Sequence, residues 1–397
     1  MMMKNNINQF LFFLLSFILT GCVSEFKADL PAEDIDMLIV EGNIIANTQC
    51  TFYLEKSFSL NESRIPEQSF DVEANLVVVG SGGYKSQPAS YLGAGRYQVN
   101  IGDLDDGQNY GIEITYNGDL YGSDPLPPIA TPEIDSVSWK QPEKAGLVFL
   151  YVSTHGENNA PGFYLWNYAE DWEIKAAYET SLFYDPKRLT YYEDHSFAFF
   201  YCWLKNEINP VLVGSSESLT ENKIVNKKLY EQHPNSDRYS VLYSVNVTQQ
   251  SLTKEAYEYY SNKAKLSQDM GGLFTPQPSE LKGNITCFTN SAKKVMGYVS
   301  VLKNVTEKRI FINEKDITGR PVTNCEEISG GELSGYLAER EMTLIDLYNA
   351  GFRPVGLFIP NPSIGDPSDY WVRIKCTDCT ANSGSKLKPD FWPNNHK

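Results

Sequence analysis

The sequence predicts a mainly β fold with a few helices, a β-rich α+β class, and three observations indicate it. Apolar and polar residues alternate in short segments between residues 36 and 124, as they do in half-buried strands. A similar alternation, denser in aromatic residues, continues after residue 133. One segment, residues 251–268, instead repeats its apolar residues at helical spacing. We therefore expect an N-terminal β domain followed by a larger β-rich domain with one long helix.

The first β region contains a turn with the spacing of a tyrosine corner. Leu104 is followed by an acidic turn that contains glycine, and Tyr110 opens the next strand. In a tyrosine corner, the buried ring ties its hydroxyl to the backbone a few residues upstream. Asn117 and Gly118 then form a dipeptide that strongly signals a two-residue hairpin. These features predict an immunoglobulin-like or fibronectin-like β-sandwich over residues 36–124, and an ordinary turn with a core tyrosine is the alternative.

A proline-rich linker is expected over residues 125–132, because its four prolines favour a stiff, extended chain. Residues 133–397 would then form the C-terminal domain. Its long helix, near 251–268, has apolar residues at every fourth position, namely Leu252, Ala256, Tyr260 and Ala264. A shorter helix is predicted near 343–350, with Thr343 as its N-cap.

The first 21 residues have the pattern of a bacterial lipoprotein signal peptide. Lys4 precedes an apolar core at 10–18, and Leu19-Thr20-Gly21 leads directly to Cys22. The apolar run is too short to span a bilayer with flanks to spare, so it indicates a signal segment. Cleavage before Cys22 would allow acyl chains to be attached there, with residues 22–35 as a tether. An ordinary secretory signal with an incidental cysteine is the alternative.

The charge balance argues against nucleic acid as a partner. The formal net charge is −16, and it becomes −17 once the signal segment is removed with its single charged residue, Lys4. Such an acidic surface repels phosphate backbones and anionic lipid surfaces. Membrane contact should therefore come from the lipid anchor. A hydrophobic content of 42%, including 13% aromatic residues, also excludes global disorder.

Six cysteines remain besides Cys22, an even number that favours disulfides in an exported protein. We expect the four in the C-terminal half to be the important ones, namely Cys287, Cys325, Cys376 and Cys379. A zinc site formed by the same four residues and unpaired thiols are the alternatives. Closed zinc sites usually contain two close cysteine pairs, whereas these four include one, so no metal site is expected.

The chain shows no strong catalytic motif, and we expect it to be no enzyme and to need no cofactor. Its histidines lack the spacing of a helical metal site, and neither a nucleophile elbow nor a glycine-rich phosphate loop occurs. The weak exception is the acidic group Glu170, Asp171 and Glu173, since two carboxylates that flank a bond can hydrolyse a glycoside. With 50 acidic residues in the chain, such neighbours arise readily by chance.

Aromatic residues are the candidates for contact with a ligand or partner. Trp166 and Trp172 lie in an aromatic-rich segment between residues 163 and 203, and Phe391 and Trp392 lie near the C-terminus. Aromatic rings interleaved with polar residues can form a platform for a peptide or glycan, although they more often fill the buried faces of strands. For the C-terminal pair, the alternatives are docking on the body of the protein and presentation to a partner.

Several short phrases, in a fixed order, resemble those of one protein family. They include Leu38-Ile39-Val40-Glu41-Gly42, Asp171-Trp172-Glu173, Tyr201-Cys202-Trp203, Gly283-Asn284-Ile285-Thr286-Cys287 and Lys388-Pro389-Asp390-Phe391-Trp392. The chain is similar in this respect to the Bacteroidota lipoproteins called domain of unknown function 4249. The resemblance implies a lipid-anchored protein of the outer membrane, commonly encoded beside a TonB-dependent receptor, and it supplies no catalytic residues.

The leading hypothesis is a non-enzymatic outer-membrane lipoprotein that is accessory to a TonB-dependent receptor, in substrate capture or in assembly of the complex. We expect it to face the cell surface, with the periplasmic leaflet as the alternative. A structural or adhesive protein of the cell envelope is the second hypothesis. A surface hydrolase that acts on glycan or peptide is the third.

Overall fold

The computed structural model of the protein describes residues 37–57, 72–156, 160–194, 199–269, 281–320, 325–356 and 370–393. The signal segment, Cys22 and the tether lie outside these residues. As predicted, the fold is mainly β, with three α-helices among the described residues. The strands form two sandwiches and a smaller region of mixed structure.

A sandwich of two sheets forms the N-terminal part of the fold. One sheet contains, in spatial order, β17 (Val295–Leu302), β1 (Leu38–Ile45), β2 (Gln49–Lys56), β5 (Arg96–Asn100) and β4 (Ser90–Tyr91). The facing sheet contains, in spatial order, β16 (Ile285–Cys287), β7 (Asp119–Ser123), β6 (Tyr110–Tyr116) and β3 (Asn75–Gly80). Phe52, Leu76 and Ile114 are fully buried in its core, which confirms the predicted β-sandwich.

The predicted tyrosine corner and hairpin are both present in this sandwich. Tyr110 is 2% exposed, and its hydroxyl accepts a hydrogen bond from the backbone N–H of Asp105 at 2.8 Å. Asn117 and Gly118 have φ angles of 50° and 81°, the left-handed pair that a type I′ turn requires between β6 and β7. The two features fix the start and the end of β6.

The boundary of the first sandwich differs from the prediction, because residues 36–124 do not complete it. β17 pairs in parallel with β1, and β16 pairs antiparallel with β7. The expected linker is also joined to this sandwich, since the backbone N–H of Ile129 donates to the carbonyl of Val301 at 3.1 Å. Local periodicity cannot reveal such pairings, because they depend on residues far apart in the chain.

A second sandwich lies in the predicted C-terminal domain. Its larger sheet contains, in spatial order, β13 (Tyr201–Ser215), β10 (Phe163–Lys175), β15 (Leu242–Ser251) and β18 (Thr306–Asn313). Its smaller sheet contains β14 (Lys223–Gln232), β9 (Val148–His155) and β8 (Ile134–Lys140). Val152, Trp166 and Val247 are fully buried in the core of this sandwich. We call the face of the larger sheet that points away from this core the outer face.

The long helix, α1 (Lys254–Asp269), confirms the helix predicted at 251–268. Ala256 is fully buried and Tyr259 is 5% exposed, in a cluster with Leu165 of β10 and Tyr298 of β17. α1 therefore packs against strands of both sandwiches. Among the described residues, no helix is both long enough and apolar enough to cross a membrane.

The smaller region combines short helices and strands around its own core of Leu347, Phe352 and Trp371. Its elements are β11 (Leu182–Asp185), β12 (Thr190–Glu193), β19 (Glu327–Ser329), α2 (Leu333–Glu339), α3 (Leu344–Asn349), β20 (Phe352–Val355) and β21 (Tyr370–Arg373). α3 confirms the helix predicted at 343–350, and Thr343 caps it through a capping box. The pattern does not predict α2, because this helix is short and contains a glycine.

Candidate functional site

The three acidic residues of the predicted hydrolase site all lie on β10, where successive side chains point to opposite faces of the sheet. Glu170 points into the core of the second sandwich, whereas Asp171 and Glu173 point to the outer face. Each carboxylate has its own set of partners. β10 therefore places Glu170 on the opposite face of the sheet from Asp171 and Glu173.

Glu170 is 2% exposed and is surrounded by donors. The Nε and Nη2 atoms of Arg238 donate to its two carboxylate oxygens at 3.0 and 3.1 Å. The hydroxyl of Tyr243 donates to Oε1 at 2.7 Å, and the amide of Asn206 donates to Oε2 at 3.1 Å. Burial raises the pKa of Tyr243 well above its usual range, so its hydroxyl keeps the proton that it donates. Glu170 is thus the centre of a buried ion pair with a structural role.

Asp171 and Glu173 are engaged on the outer face. Nη1 of Arg309 donates to Oδ2 of Asp171 at 2.9 Å and to the hydroxyl of Ser244 at 2.8 Å. Glu173 is fully buried, and Nε1 of Trp392 donates to its Oε2 at 3.2 Å. Trp392, near the C-terminus, therefore covers Glu173 on the outer face.

The C-terminal tail, residues 383–393, is docked on the larger sheet at two places, along its edge strand β13 and on its outer face. Ser385 exchanges two backbone hydrogen bonds of 2.8 Å with Trp203 of β13. Trp392 is 4% exposed and packs edge-on against Phe311 of β18, with ring centroids 5.6 Å apart. Of the two alternatives for the C-terminal aromatic residues, docking describes Trp392.

Docking of the tail leaves two neighbouring rings at the surface. Phe391 is 44% exposed and Phe311 is 39% exposed. The guanidinium of Arg309 lies 3.6 Å from the ring centroid of Phe391, a cation–π contact. We call Phe311 and Phe391 the aromatic pair. Both rings contact the buried Trp392, so their positions are fixed while part of each ring remains accessible.

Trp166 and Trp172 belong to the core, and this corrects their assignment as contact residues. Trp166 is fully buried, and its Nε1 donates to Oε1 of Gln249 at 2.8 Å. Trp172 is 6% exposed, and the guanidinium of Arg238 lies 4.5 Å from its ring centroid. Neither ring has the exposed surface that contact with a ligand needs. The alternation along β10 places both on the core face, as the packing interpretation expects.

The described residues contain two disulfides, whose four cysteines differ from the expected four in one member. The bridges are Cys325–Cys376 and Cys202–Cys379. Cys287, which we expect from the sequence to be paired, is a buried free thiol, as is Cys50. Cys287 lies on β16 in the first sandwich, whereas β13 brings Cys202 beside the 376–379 turn. The position of β13 therefore makes Cys202 a disulfide partner in place of Cys287. The number of cysteines in the sequence does not reveal which of them pair.

Sequence reasoning missed the partners of the carboxylates, namely the cations Arg238 and Arg309 and the amide donor Asn206. Asn206 stands opposite Glu170 in the pairing of β13 with β10, which is a long-range register. The separation of Glu170 from its acidic neighbours is, in contrast, available from the alternation itself. Within the described residues, no group of three or more His, Cys, Asp or Glu side chains is arranged to hold a metal ion.

Comparisons with known proteins give a family and distant structural likenesses. A family model described as domain of unknown function (DUF4249) matches residues 23–309. No curated protein matches the chain in sequence. Among solved structures, the chain is similar to a two-domain fibronectin type III segment from chicken tenascin, at 10% identity. That match covers 54% of this chain and 97% of the other, with a TM-score of 0.15.

Proposed function

The chain belongs to the DUF4249 family, and from this premise we propose that it is a non-enzymatic lipoprotein that binds a TonB-dependent receptor at the outer membrane. Its lipid anchor is Cys22, its body faces the cell surface, and its role is accessory to the receptor in capturing a substrate or assembling the complex. The aromatic pair, Phe311 and Phe391, is the receptor contact. The observation that carries this proposal is that pair of exposed rings, of which Phe311 lies on β18 and Phe391 on the docked tail.

The aromatic pair has the properties of an interface anchor. Aromatic residues are enriched at the cores of protein interfaces, and rigid ones lose little conformational freedom on binding. Phe391 is fixed by Arg309 and by its neighbour Trp392, while 44% of its surface stays exposed. The pair therefore supports a protein partner.

The state of the three carboxylates supports a non-enzymatic role. A glycosidase needs one carboxyl group that protonates the leaving group and a second that attacks or activates water. Glu170 is bound by Arg238 and closed to solvent, and Glu173 lies under Trp392. Neither carboxylate is accessible to a sugar or a peptide in this arrangement.

The anchor adds to the contact by confinement. A lipid on Cys22 would keep the protein in the same membrane as the receptor, which raises the effective concentration of one partner for the other. A small contact such as the aromatic pair can then be sufficient. The acidic mature chain, with its formal net charge of −17 after removal of Lys4 with the signal segment, leaves the lipid as the source of membrane attachment.

The proposal is tested by extracting an affinity-tagged chain in mild detergent and identifying the proteins that co-purify. We expect an outer-membrane barrel protein of the TonB-dependent class. The double variant Phe311→Ala/Phe391→Ala should lose it, and Tyr53→Ala, which removes an aromatic side chain that is 45% exposed in the first sandwich, should retain it. Recovery of the tagged chain as a free monomer would contradict the proposal.

A further inference from the structure

A cleft of about 240 Å³ lies between the β11–β12 hairpin, β20 and the turn at residues 376–379. We call it the clamped cleft. Phe183, Tyr192 and Tyr348 contribute aromatic rings to its lining, while Arg353 and Asp378 contribute charged groups. It is smaller than pockets for drug-sized ligands, so it suits a ligand of the size of one sugar ring or one amino acid.

Two disulfides hold one wall of the clamped cleft. Thr377 and Asp378 line it, and the cysteines on either side of them are each bonded to a different part of the chain. These bonds are Cys325–Cys376 and Cys202–Cys379. The wall is therefore fixed before any ligand arrives, which lowers the entropic cost of binding.

Arg353 is a half-buried cation in this cleft, and its donors are only partly used. Its Nη1 donates to the carbonyl oxygens of Tyr348 and Phe352 at 2.8 and 2.7 Å. Its guanidinium lies 3.6 Å from the ring centroid of Tyr348. Among the described residues, no carboxylate lies within 4.0 Å of it, and none accepts from Nε or Nη2. Burial lowers the pKa of Arg353, with Tyr348 and Asp378 opposing that shift.

Asp378 supplies an oriented acceptor in the same cleft. Its Oδ1 accepts from the backbone N–H and from the hydroxyl of Thr380, at 2.8 and 2.6 Å. These two bonds fix the plane of the carboxylate. Its Oδ2 receives no hydrogen bond from the described part of the chain. The clamped cleft therefore offers unused donors on Arg353 and an unused acceptor on Asp378.

Tyr192 supplies a flat aromatic surface beside these polar groups. Its ring is 49% exposed and stacks on Phe183, with centroids 5.5 Å apart and an angle of 23° between the planes. A ring supported in this way can pack against the C–H face of another ring. Its partial exposure makes it accessible from solvent.

We propose that the clamped cleft binds one ring of a neutral sugar, as a monosaccharide or as the end of a glycan. Hydroxyl groups both donate and accept, so neighbouring hydroxyls of one ring can accept from Arg353 and donate to Asp378. The C–H face of the ring then packs on Tyr192. This assignment goes beyond the receptor contact and does not depend on it.

The charges of the lining favour a neutral ligand over an ion. The lining combines the guanidinium of Arg353 with two carboxylates, those of Asp194 and Asp378. Both carboxylates would repel a simple anion, and the partly desolvated guanidinium would repel a simple cation. A neutral polyhydroxylated ring meets both kinds of group with hydrogen bonds and leaves no buried charge of its own to compensate.

The test is saturation-transfer NMR with calorimetry on the purified mature chain, with both disulfides intact. The probes are glucose, galactose, mannose and N-acetylglucosamine, with glycine and inorganic phosphate as comparators. We expect at least one sugar to bind with a Kd of about 1 mM or lower. Tyr192→Ala and Arg353→Met should each weaken it by about tenfold. Tyr53→Ala, at a similarly exposed aromatic position in the first sandwich, should bind as the parent chain does.

Three results would overturn the sugar site. The first is no binding of any of the four sugars at about 10 mM. The second is saturable binding of phosphate or glycine in place of the sugars. The third is undiminished sugar binding by Tyr192→Ala, whose exposed position lets the variant fold; circular dichroism of each variant checks that it does.

Discussion

The indole of Trp392 donates a hydrogen bond to the buried carboxylate of Glu173, which lies 219 residues earlier in the chain. This contact joins the C-terminal tail to the second sandwich. Trp392 also covers Glu173, which is fully buried on the outer face, whereas the neighbouring ring of Phe391 stays exposed. Glu173, which was considered for catalysis, and Trp392, which was considered for partner contact, thus together attach the tail to the sandwich.

Removal of the Trp392 side chain should detach the tail and destabilise the second sandwich. Trp392→Ala removes a buried ring and a hydrogen bond to Glu173, a loss of about 3 kcal/mol in the free energy of unfolding. Urea denaturation measures it. Leu387→Ala is the control in the same tail, since Leu387 is 83% exposed and should change stability by less than about 0.5 kcal/mol. Equal effects of the two variants would mean that Trp392 is not the attachment.

The buried ion pair of Glu170 should be far more sensitive than an ion pair at the surface. Glu170→Gln leaves Arg238 without its carboxylate inside the sandwich, at a cost of about 3 kcal/mol. Glu207→Gln is the matched control on β13, where Glu207 and Lys205 form an exposed pair worth about 0.5 kcal/mol or less. Thermal and urea unfolding of both variants give the comparison. A loss for Glu170→Gln as small as that of the control would rule out a structural ion pair.

Stability near α1 should depend on pH through Glu55. Burial raises the pKa of Glu55, and the carboxylate of Glu41 raises it further, against the opposing effect of Lys263. The folded state therefore holds this proton more tightly than the unfolded chain does. The contribution of Glu55 to the free energy of unfolding is therefore fully present below its pKa in the unfolded chain, about 4.3. It is lost as the pH rises through the higher pKa that Glu55 has in the folded protein. Glu55→Gln should then be more stable than the parent chain at neutral pH.

The control for this prediction is to compare the same two proteins, the parent chain and Glu55→Gln, at a second pH. At a pH of about 3.5 the carboxyl group is protonated in both states, so the gain of Glu55→Gln should disappear. Urea denaturation at the two pH values measures the difference. If Glu55→Gln differs in stability from the parent chain by the same amount at both pH values, the difference comes from burial of the side chain and not from its titration.

The disulfide pattern predicts which thiols react with an alkylating agent. Denaturation without reduction should expose Cys50 and Cys287 alone among the cysteines after Cys22. Reduction before alkylation should add the four bridged residues. Peptide mass spectrometry identifies each labelled site. Labelling of Cys202 without reduction, or protection of Cys287, would contradict the pairing.

Much of the fold could be predicted because its signals are local. The tyrosine corner at Tyr110, the hairpin at Asn117 and the capping box at Thr343 each depend on residues within a few positions of one another. The pairing of β17 with β1 escaped prediction because it joins segments far apart. The same reason explains Cys202, whose partner is set by the position of β13 beside the 376–379 turn.

The candidate sites were predicted less well, because they depend on burial. Trp166 and Phe391 are both aromatic residues in the sequence, yet one is fully buried and the other is 44% exposed. The clamped cleft has no local signature, since β20 brings Arg353 to Asp378 through tertiary contacts. Residue type therefore identified candidates, and packing decided among them.

The most direct measurement of the proposed receptor contact is photo-crosslinking in living cells, with a photoreactive phenylalanine analogue placed at position 391. We predict a crosslink to an outer-membrane barrel protein of the TonB-dependent class. The same analogue at position 53, on the first sandwich, should give no such product. Position 391 giving no crosslink to a barrel protein, or the same products as position 53, would contradict the assignment of the aromatic pair as the receptor contact.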